Sequence, residues 1–309
     1  MRAVGITAPG GYEVLSVIDR PVRELGAGEV RIAVRAAAVN PTDSGLRARG
    51  GGELPAPWTP GMDAAGTIEA LGAGVERLQV GEQVMAAVTP RRPEGGAQAE
   101  LLLAPAASVV PIPDGATLEQ AATLPMNGLT ALLGLDLLGL ESGQTLAVSG
   151  GAGLLASYVI PLAKQQGLRV IADAKPEDEE LVRSFGADAV VSRGVGFVAG
   201  VRGQAPAGVD ALYDTALLHE KAFGAFRDGG AMIVVRGWQP DATERGIQVK
   251  PVMVSKALER TDWLEELRGL ASAGRLQLRV AGEYAPEQAA EAERVTDAGG
   301  LRGRVVIVF

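Results

Sequence analysis

The sequence contains no cysteine and only one histidine, His219. The absence of cysteine excludes disulfides, thiolate nucleophiles and cysteine-bound zinc. A single histidine excludes zinc sites built from several histidines, and any serine-histidine scheme would have to use His219. That residue opens a helical pattern and is followed by Glu220 and Lys221, which is typical of a solvated helix position. Metal sites made of carboxylates alone stay possible, but no paired-acid spacing indicates one. We therefore expect no bound metal, and the chemistry has to come from a bound cofactor.

Positive charge is also scarce, because 29 Lys and Arg stand against 37 Asp and Glu, for a net charge of -8. Nucleic acids and anionic membranes bind concentrated basic faces, and no run of Lys or Arg here is longer than two. The amino terminus lacks the apolar core of a signal peptide, and no segment is expected to span a membrane. These absences predict a cytoplasmic protein with neither nucleic acid nor membrane as a partner.

Glycine, in contrast, is abundant, with 42 residues, and one glycine cluster follows a short apolar run. The run Leu146–Val148 is typical of a buried strand, and a helical pattern begins at Leu154. Between them the spacing Gly150-x-x-Gly153-x-x-Ala156 is a variant of the dinucleotide fingerprint. The N–H groups and the dipole at such a helix start favour a pyrophosphate, which a Cβ in the turn would hold away. The predicted cofactor contacts here are Ser149, Gly150, Gly151, Ala152, Gly153, Leu154 and Leu155.

An ordinary glycine-rich turn can have the same spacing by chance, so the segments that follow decide between the two interpretations. They alternate, because apolar runs are separated mostly by helical patterns such as Glu177–Phe185. Such alternation predicts a doubly wound parallel sheet with its ligand at the carboxyl ends of the strands. We predict an α/β Rossmann domain over residues 116–256. Its later strands are expected at Arg169–Ala172, Ala189–Ser192, Val209–Tyr213, Ala231–Val235 and Ile247–Val252.

Residues 1–115 lack this alternation. Apolar residues alternate with polar or small ones around Val30–Val34, and glycine-rich turns separate the later strands. This pattern predicts a mostly antiparallel, barrel-like domain. Within it, the polar residues Asn40–Asp43 mark the start of a short helix, and Arg47–Gly52 is expected to form a mobile loop. The two arginines of that loop, Arg47 and Arg49, either attract an anionic substrate or are simply solvated.

The chain carries a series of motifs in a fixed order: Ala38–Asp43, Pro60–Gly66, Val80–Val84, Leu124–Ala131, the Gly150 turn, Gly186–Asp188 and Gly230–Ala231. Together these motifs resemble the zinc-free, quinone oxidoreductase-like group of the medium-chain dehydrogenase/reductase superfamily. The resemblance implies a GroES-like catalytic domain formed by residues 1–115 and 257–309, with the Rossmann domain between them. The final strand, expected at Arg304–Phe309, would return to the first domain.

In this group NADPH delivers hydride to a quinone or to the β-carbon of an α,β-unsaturated carbonyl, and charge develops on the carbonyl oxygen. The resemblance assigns catalytic roles to Asn40, Asp43 and Thr130, and places Asn40 and Thr130 near the nicotinamide. Alternatively, Asn40 and Asp43 only cap the short helix and Thr130 is an ordinary residue near a helix start. Relatives carry tyrosines in the loop after Asn40, whereas Ser44–Arg49 contains none, so we expect the proton to come from solvent.

Two other functions fit the same motifs. An enoyl-thioester reductase of polyketide or fatty-acid metabolism would use the same hydride chemistry. A non-catalytic NADPH-binding protein would account for the missing tyrosine.

Cofactor preference depends on Asp173, Ala174 and Lys175 at the end of the second Rossmann strand. An acid at the strand end binds the ribose hydroxyls of NAD, whereas a small residue followed by a cation accepts the 2′-phosphate of NADP. Aligned on the family pattern, Ala174 occupies the acid position and Asp173 points to the opposite face, which predicts NADPH. A shift of one residue would instead make Asp173 the NAD acid. Arg193 either stacks on adenine and pairs with phosphate, or is an ordinary surface residue. Further expected contacts at later strand ends are Thr215, Ala216, Arg236 and Gly237.

The last Rossmann strand predicts the assembly. An exposed sheet edge that carries Ile247, Val249, Val252 and Val254 is an aggregation hazard unless it is paired. We therefore expect a homodimer through twofold pairing of this edge. Pro251 argues for a monomer instead, because proline cannot donate to a ladder.

Overall fold

A computed structural model describes residues 1–238 and 244–309. The chain divides into two compact units, one formed by Met1–Met126 with Ser255–Phe309 and the other by Asn127–Val254. The first unit contains both ends of the chain, and the second is one continuous segment.

The strands of the described residues are numbered in chain order. They are β1 Arg2–Ile6, β2 Leu15–Asp19, β3 Glu29–Ala38, β4 Asp63–Leu71, β5 Gln83–Ala87, β6 Leu101–Pro105, β7 Val109–Pro111, β8 Thr145–Ser149, β9 Arg169–Ala174, β10 Ala189–Ser192, β11 Val209–Asp214, β12 Phe226–Val234, β13 Gln248–Pro251, β14 Val280–Tyr284 and β15 Arg304–Val308.

The α-helices are α1 Asp43–Arg49, α2 Leu118–Ala121, α3 Pro125–Leu138, α4 Leu154–Gln165, α5 Glu179–Ser184, α6 Phe197–Gln204, α7 Thr261–Ser272 and α8 Ala289–Ala298. Short 3-10 helices lie at Tyr12–Val14, Ala106–Ser108, Pro176–Asp178, Gly194–Gly196, His219–Ala225, Val254–Lys256 and Pro286–Gln288.

The sheet of the second unit has parallel strands in the order β10-β9-β8-β11-β12-β13. The first strand of the unit, β8, lies in the middle of the sheet. The strand order reverses between β8 and β11, where doubly wound sheets bind their ligands. Leu146, Val170 and Leu212 are fully buried, because helices cover both faces of such a sheet. The predicted doubly wound sheet is confirmed.

The larger sheet of the first unit runs β14-β15-β3-β4-β5-β7, and β6 also pairs with β3. Every pairing in it is antiparallel except that of β14 with β15. The predicted mostly antiparallel sheet is confirmed, although no ladder within residues 1–238 and 244–309 joins β14 to β7 to close it into a barrel. The last strand, β15, pairs with Ala36–Ala38 of β3, so the end of the chain returns to the first unit as predicted.

The segment Leu118–Leu138 contains α2 and α3 and is apolar along its length. We expected no segment to be long and apolar enough to cross a membrane, but this one is, by length and composition alone. However, 83% of its apolar window is buried inside the folded chain. Pro125 begins α3. Proline is tolerated there because the N–H that it lacks would have no hydrogen-bond acceptor within the helix. The segment is therefore a core helix region.

Residues 43–49 form the helix α1, so the mobile loop expected from Arg47 onward is wrong for Arg47–Arg49. Arg47 is buried, and its Nε lies 2.7 Å from Glu293 Oε2. Its Nη2 lies 3.3 Å from Asp297 Oδ2, and its guanidinium stacks 4.3 Å from the ring centre of Tyr12. Arg47 is thus committed to a structural network and cannot attract an anionic substrate. Its partner Glu293 lies 246 positions away in sequence, which is why the local pattern did not reveal the pair.

Candidate functional site

Three buried polar residues meet where β3 ends and β4 begins in the first unit. Asn40, Asp43 and Asp63 are 0%, 2% and 0% exposed. Asp43 Oδ2 accepts the backbone N–H of Asn40 at 2.8 Å, and Asp43 Oδ1 accepts the backbone N–H of Gly61 at 3.1 Å. Gln98 Nε2 donates to Asp43 Oδ2 at 3.2 Å. Asp43 therefore fastens the strand end to the turn before β4.

The side chain of Asn40 does not cap α1. The N-cap residue is Thr42, which makes no side-chain capping bond. Instead, Asn40 Nδ2 donates to Asp63 Oδ1 at 2.7 Å, and Asn40 Oδ1 is buried without a hydrogen-bond partner among the described residues. The alternative that Asn40 only caps the short helix is therefore wrong.

Burial makes both carboxyl groups of this site weaker acids than usual. Desolvation raises the pKa of Asp43 to about 7, with the nearby charges of Glu293 and Asp63 adding to the effect. Desolvation also raises the pKa of Asp63 to about 6, although the charge of Arg304 and the Asn40 hydrogen bond oppose it. Both carboxyl groups consequently lose their protons at a higher pH than an exposed aspartate does.

The glycine turn between β8 and α4 lies in the second unit. Gly150 has a φ of +69°, and a Cβ on it would lie 2.7 Å from Thr215 Oγ1. A Cβ on Gly151 would lie 2.4 Å from the backbone oxygen of Asp173. Gly153 is the N-cap of α4 and provides no side chain to cap the first N–H groups of that helix. At Gly150 and Gly151 the turn accepts only glycine, and it presents a helix N-terminus suited to an anion.

The carboxylate of Asp173 is hydrogen-bonded to this turn. Asp173 Oδ1 accepts the backbone N–H of Gly151 at 3.0 Å, and Oδ2 is buried without a partner among the described residues. Burial raises the pKa of Asp173, while hydrogen bonds from the turn and the charge of Arg193 lower it. Because neighbours on a strand point to opposite faces, Ala174 faces away from the turn. Lys175 follows, with its Nζ 3.7 Å from Glu177 Oε1 and its side chain 51% exposed.

The ends of β8 and β11 are joined by side-chain hydrogen bonds. Ser149 Oγ donates to Asp214 Oδ1 at 2.6 Å, and the backbone N–H of Ala216 donates to Ser149 Oγ at 3.0 Å. Thr215 Oγ1 donates to the carbonyl of Ser149 at 2.6 Å. Thr215 and Ala216 are thereby placed beside Gly150, at the predicted strand ends.

Asp214 also organises the segment that follows β11. Its carboxylate accepts the backbone N–H groups of Leu218 and His219 at 3.0 and 2.8 Å. The Nε2 of His219 lies 3.0 Å from the carbonyl oxygen of Arg236, and a Cβ on Gly237 would lie 3.2 Å from the imidazole. Because a carbonyl can only accept, Nε2 carries the proton. The structure thus brings His219 to the end of β12, beside Arg236 and Gly237.

Thr130 lies inside α3 rather than near a helix start, because that helix begins at Pro125. Its side chain is 7% exposed, and its carbonyl accepts the hydroxyl of Tyr213 at 2.6 Å. Tyr213 is fully buried, and desolvation raises the pKa of its phenol. Tyr213 thereby holds Thr130 against β11 within the second unit.

Three residues of these sites were not among the predicted site residues: Asp63, Gln98 and Asp214. Asp63 lies inside the Pro60–Gly66 motif, so that motif could have identified it as a site residue. Asp214 directly follows the apolar run of β11, where a polar residue at a strand end is a signal. Gln98 gave no local signal, because its contact with Asp43 spans 55 positions in sequence.

Two family models match the chain. The model described as "Alcohol dehydrogenase GroES-like domain" matches residues 26–114, and the model described as "Zinc-binding dehydrogenase" matches residues 185–307. Together they span more than half of the chain, which therefore belongs to the medium-chain dehydrogenase/reductase superfamily. Its predicted place in the quinone oxidoreductase-like group of that superfamily is confirmed by its relatives. No group of three or more His, Cys, Asp or Glu that could hold a metal occurs in the part of the chain that the structure describes.

Curated relatives include enone reductases, quinone oxidoreductases and trans-enoyl reductases. The chain is 28% identical to a 2-methylene-furan-3-one reductase of Solanum lycopersicum, over 99% of this chain and 79% of the relative. It is 32% identical to a chloroplastic NADPH-dependent alkenal/one oxidoreductase of Arabidopsis thaliana, over 77% of this chain and 63% of the relative. It is 35% identical to a quinone oxidoreductase of Pseudomonas aeruginosa, over 60% of this chain and 57% of the relative.

Solved structures match over the whole chain. An NAD-dependent alcohol dehydrogenase is 29% identical with a TM-score of 0.87, covering 100% of both chains. A mycobacterial protein complexed with NADPH is 27% identical with a TM-score of 0.85, again covering 100% of both chains. These similarities agree with an oxidoreductase that uses a nicotinamide cofactor.

Proposed function

We propose that the protein is a cytoplasmic, zinc-independent oxidoreductase that transfers hydride from NADPH to a quinone or an α,β-unsaturated carbonyl. The observation that carries the proposal is the glycine turn, because Cβ atoms on Gly150 and Gly151 would meet Thr215 and Asp173 at 2.7 and 2.4 Å. Such a turn at a helix N-terminus fits a pyrophosphate. We propose a quinone or an enone as the hydride acceptor because the chain is similar to enone and quinone reductases.

In this proposal the residues Ser149–Leu155 hold the pyrophosphate through their backbone. Thr215, Ala216, Arg236 and Gly237, at the ends of β11 and β12, form the wall beside it. When bound, the reduced nicotinamide supplies the hydride. Thr130 contacts the nicotinamide from α3.

NADPH is proposed over NADH because the carboxylate of Asp173 is directed at Gly151 and accepts its N–H. The position for an acid that binds ribose hydroxyls is then held by Ala174, which leaves room for a 2′-phosphate. Lys175 and Arg193 supply positive charge near the end of β9, because Lys175 directly follows that strand and the charge of Arg193 acts on Asp173.

Asn40 and Asp43 contribute the polar part of the catalytic site in the first unit. Asp43 fixes the backbone of Asn40, and Asn40 contacts the bound ligands. The segment Ser44–Arg49 contains no tyrosine, so the protein offers no phenol there, and the proton for the reduced product comes from solvent.

The test is a panel of quinones, enones and enoyl-thioesters, assayed with NADPH and with NADH at neutral pH. We expect NADPH oxidation with at least one quinone or enone. Turnover confined to enoyl-thioesters would favour the enoyl-thioester reductase. Tight NADPH binding without turnover of any acceptor would contradict an enzyme and favour a non-catalytic NADPH-binding protein.

We also propose a homodimer through β13, which is an edge strand of the parallel sheet. Ile247 and Val252 are buried in their own unit, at 3% and 7% exposure, so they do not form the exposed edge expected from the sequence. The proposal therefore depends on the free backbone of β13, with Val249 beside it. Light scattering should give about twice the 31.8 kDa of one chain. Val249→Lys should halve that mass, and a wild-type mass near that of one chain would contradict the dimer.

A further inference from the structure

A chain of hydrogen bonds connects the carboxyl ends of β8, β11 and β12, and His219 is its last side chain. Ser149, directly before the glycine turn, donates from Oγ to Asp214 Oδ1 at 2.6 Å. The other oxygen of Asp214, Oδ2, accepts the backbone N–H of His219 at 2.8 Å. The Nε2 of His219 lies 3.0 Å from the carbonyl oxygen of Arg236. His219 therefore links the segment after β11 to the segment after β12.

The backbone of His219 has a conformation that it would not adopt by itself. Its φ is +51° and that of Leu217 is +59°, a region that residues other than glycine rarely occupy. Such conformations persist where surrounding contacts impose them, and they are frequent at functional sites. Here Asp214 imposes them, because its carboxylate accepts the N–H groups of Leu218 and His219 at 3.0 and 2.8 Å. The position of the imidazole is thus set by the end of β11.

The imidazole contacts three consecutive residues just after β12. Its Nε2 donates to the carbonyl of Arg236, and a Cβ on Gly237 would lie 3.2 Å from its Cε1. The ring of Trp238 meets it edge to face, with ring centres 6.1 Å apart. Gly237 has a φ of +73°, so the chain turns at this point. These contacts hold residues 236–238 in one conformation relative to the sheet.

The strand order indicates which part of a dinucleotide this segment meets. The order reverses between β8 and β11, and a doubly wound sheet binds one half of the dinucleotide on each side of the reversal. In the proposed function the pyrophosphate lies at the turn after β8, and Lys175 after β9 lies on the adenosine side. The ends of β11 and β12 therefore lie on the nicotinamide side. All of these residues belong to the second unit, Asn127–Val254.

We propose that His219 is a positioning residue for the nicotinamide half of the cofactor. Held by Asp214, it fixes residues 236–238 in the conformation that binds this half, and it takes no part in the hydride transfer itself. The inference rests on the proposed function and adds a residue to it. Arg236 is exposed, so water replaces the imidazole at its carbonyl when the bond is lost. Removal of the bond should therefore loosen this segment and leave the fold intact.

The experiment measures the affinities of the wild type, His219→Phe and His219→Gln for NADPH and for adenosine 2′,5′-diphosphate, without any acceptor. Phenylalanine keeps an aromatic ring beside Trp238 but has no N–H, whereas the glutamine amide has no ring but can donate to the same carbonyl. Loss of one hydrogen bond predicts NADPH affinity about fivefold weaker in His219→Phe and within about twofold of the wild type in His219→Gln. Adenosine 2′,5′-diphosphate, which lacks the nicotinamide half, should bind all three proteins equally.

Three results would overturn the proposal. The first is unchanged NADPH affinity in His219→Phe. The second is an equal loss for adenosine 2′,5′-diphosphate, which would make the role of His219 structural for the whole site. The third is a loss in His219→Gln as large as that in His219→Phe, because the hydrogen bond would then not be its cause.

A measurement on the wild type covers the case in which the variants do not fold. His219 is the only histidine of the chain, so its imidazole signals in a nuclear magnetic resonance spectrum need no further assignment. If the bond to Arg236 strengthens NADPH binding about fivefold, NADPH must strengthen that bond by the same factor. Exchange of the Nε2 proton with water should therefore slow about fivefold with NADPH and stay unchanged with adenosine 2′,5′-diphosphate. Unchanged exchange with NADPH overturns the proposal.

The outcomes separate this inference from the proposed function. Turnover of a quinone or an enone by an enzyme whose NADPH affinity does not depend on His219 contradicts only the role of His219. An NADPH affinity that falls in His219→Phe and returns in His219→Gln, with no turnover of any acceptor, supports that role and contradicts the enzyme.

Discussion

Gly151 and Asp173 touch through both backbone and side chain. The N–H of Gly151 donates to Asp173 Oδ1 at 3.0 Å, and a Cβ on Gly151 would lie 2.4 Å from the backbone oxygen of Asp173. The glycine turn and the end of β9 are thus a single rigid feature. A change at either residue moves the surface that we assign to the pyrophosphate.

Gly151→Ala should weaken NADPH binding by about tenfold or more, because the new methyl group displaces the turn from the end of β9 and the position of the phosphate is lost. Fluorescence titration of the reduced cofactor measures the change. Gly203→Ala is the matched control, because nothing lies within 4 Å of a Cβ there. That control lies in α6 and should stabilise the protein by up to about 1 kcal/mol with unchanged cofactor affinity. Equal cofactor affinity in both variants would contradict our assignment of the turn.

Arg47→Met should destabilise the protein by about 3–5 kcal/mol, because it leaves the carboxylate of Glu293 buried without its partner. The side chains of Arg47 and Glu293 are only 10% and 4% exposed. The loss should be smaller at low pH, since burial already raises the pKa of Glu293 and a protonated carboxyl needs no cation. Urea unfolding at several pH values measures it. Arg183→Met removes the exposed pair with Glu179 and should cost at most about 0.5 kcal/mol. Similar losses in the two variants would contradict a buried network.

Local sequence patterns predicted some elements of the fold and the site correctly, and others only in part. The strand β8, the glycine turn and α4 were predictable because an apolar run, glycines and a helical pattern follow each other directly. The helix α1 was predicted only as a start, and its second half was mistaken for a loop, because Arg47 is ordered by Glu293 and Asp297 from the far end of the chain. Asn40 was identified from a motif, but its side-chain contact is with Asp63, 23 positions further along the chain, which no local pattern reveals. Local patterns predict elements, whereas long-range pairs between polar residues need the folded chain.

The free energy of unfolding should carry a contribution from Asp43 that falls as pH rises from about 4 to about 7. The pKa of Asp43 is about 7 in the folded protein against a usual value of 3.8. Between these values the folded state binds the proton that the unfolded state has lost, so the folded state is favoured at low pH and loses this advantage as pH rises. Across the window the change is on the order of 4 kcal/mol.

The measurement is the difference in unfolding free energy between the wild type and Asp43→Asn at several pH values. The difference should decline with rising pH. Asp262→Asn is a control of opposite sign, because the hydrogen bond from Arg260 lowers the pKa of Asp262. Its effect should be small, since that pair is exposed and screened by solvent. A pH-independent difference for Asp43→Asn would show that Asp43 titrates at its ordinary pKa.

Lys175→Ala should raise the KM for NADPH about tenfold and leave that for NADH within about twofold, because only NADPH carries the 2′-phosphate that this ammonium would bind. Lys175 is 51% exposed and lies 3.7 Å from Glu177, so a phosphate can replace its weak partner at little cost. Lys256→Ala, at an exposed position in the first unit, is the control and should change neither KM.

The alternative assignment, in which Asp173 binds the ribose of NAD, predicts the reverse pattern. If the wild type prefers NADH and Lys175→Ala has no effect, the unpaired Asp173 Oδ2 becomes the acceptor for a ribose hydroxyl, and Asp173→Asn should then weaken NADH binding. Assays of these variants with both cofactors in parallel therefore decide whether Asp173 or Lys175 contacts the adenosine ribose and its 2′ substituent.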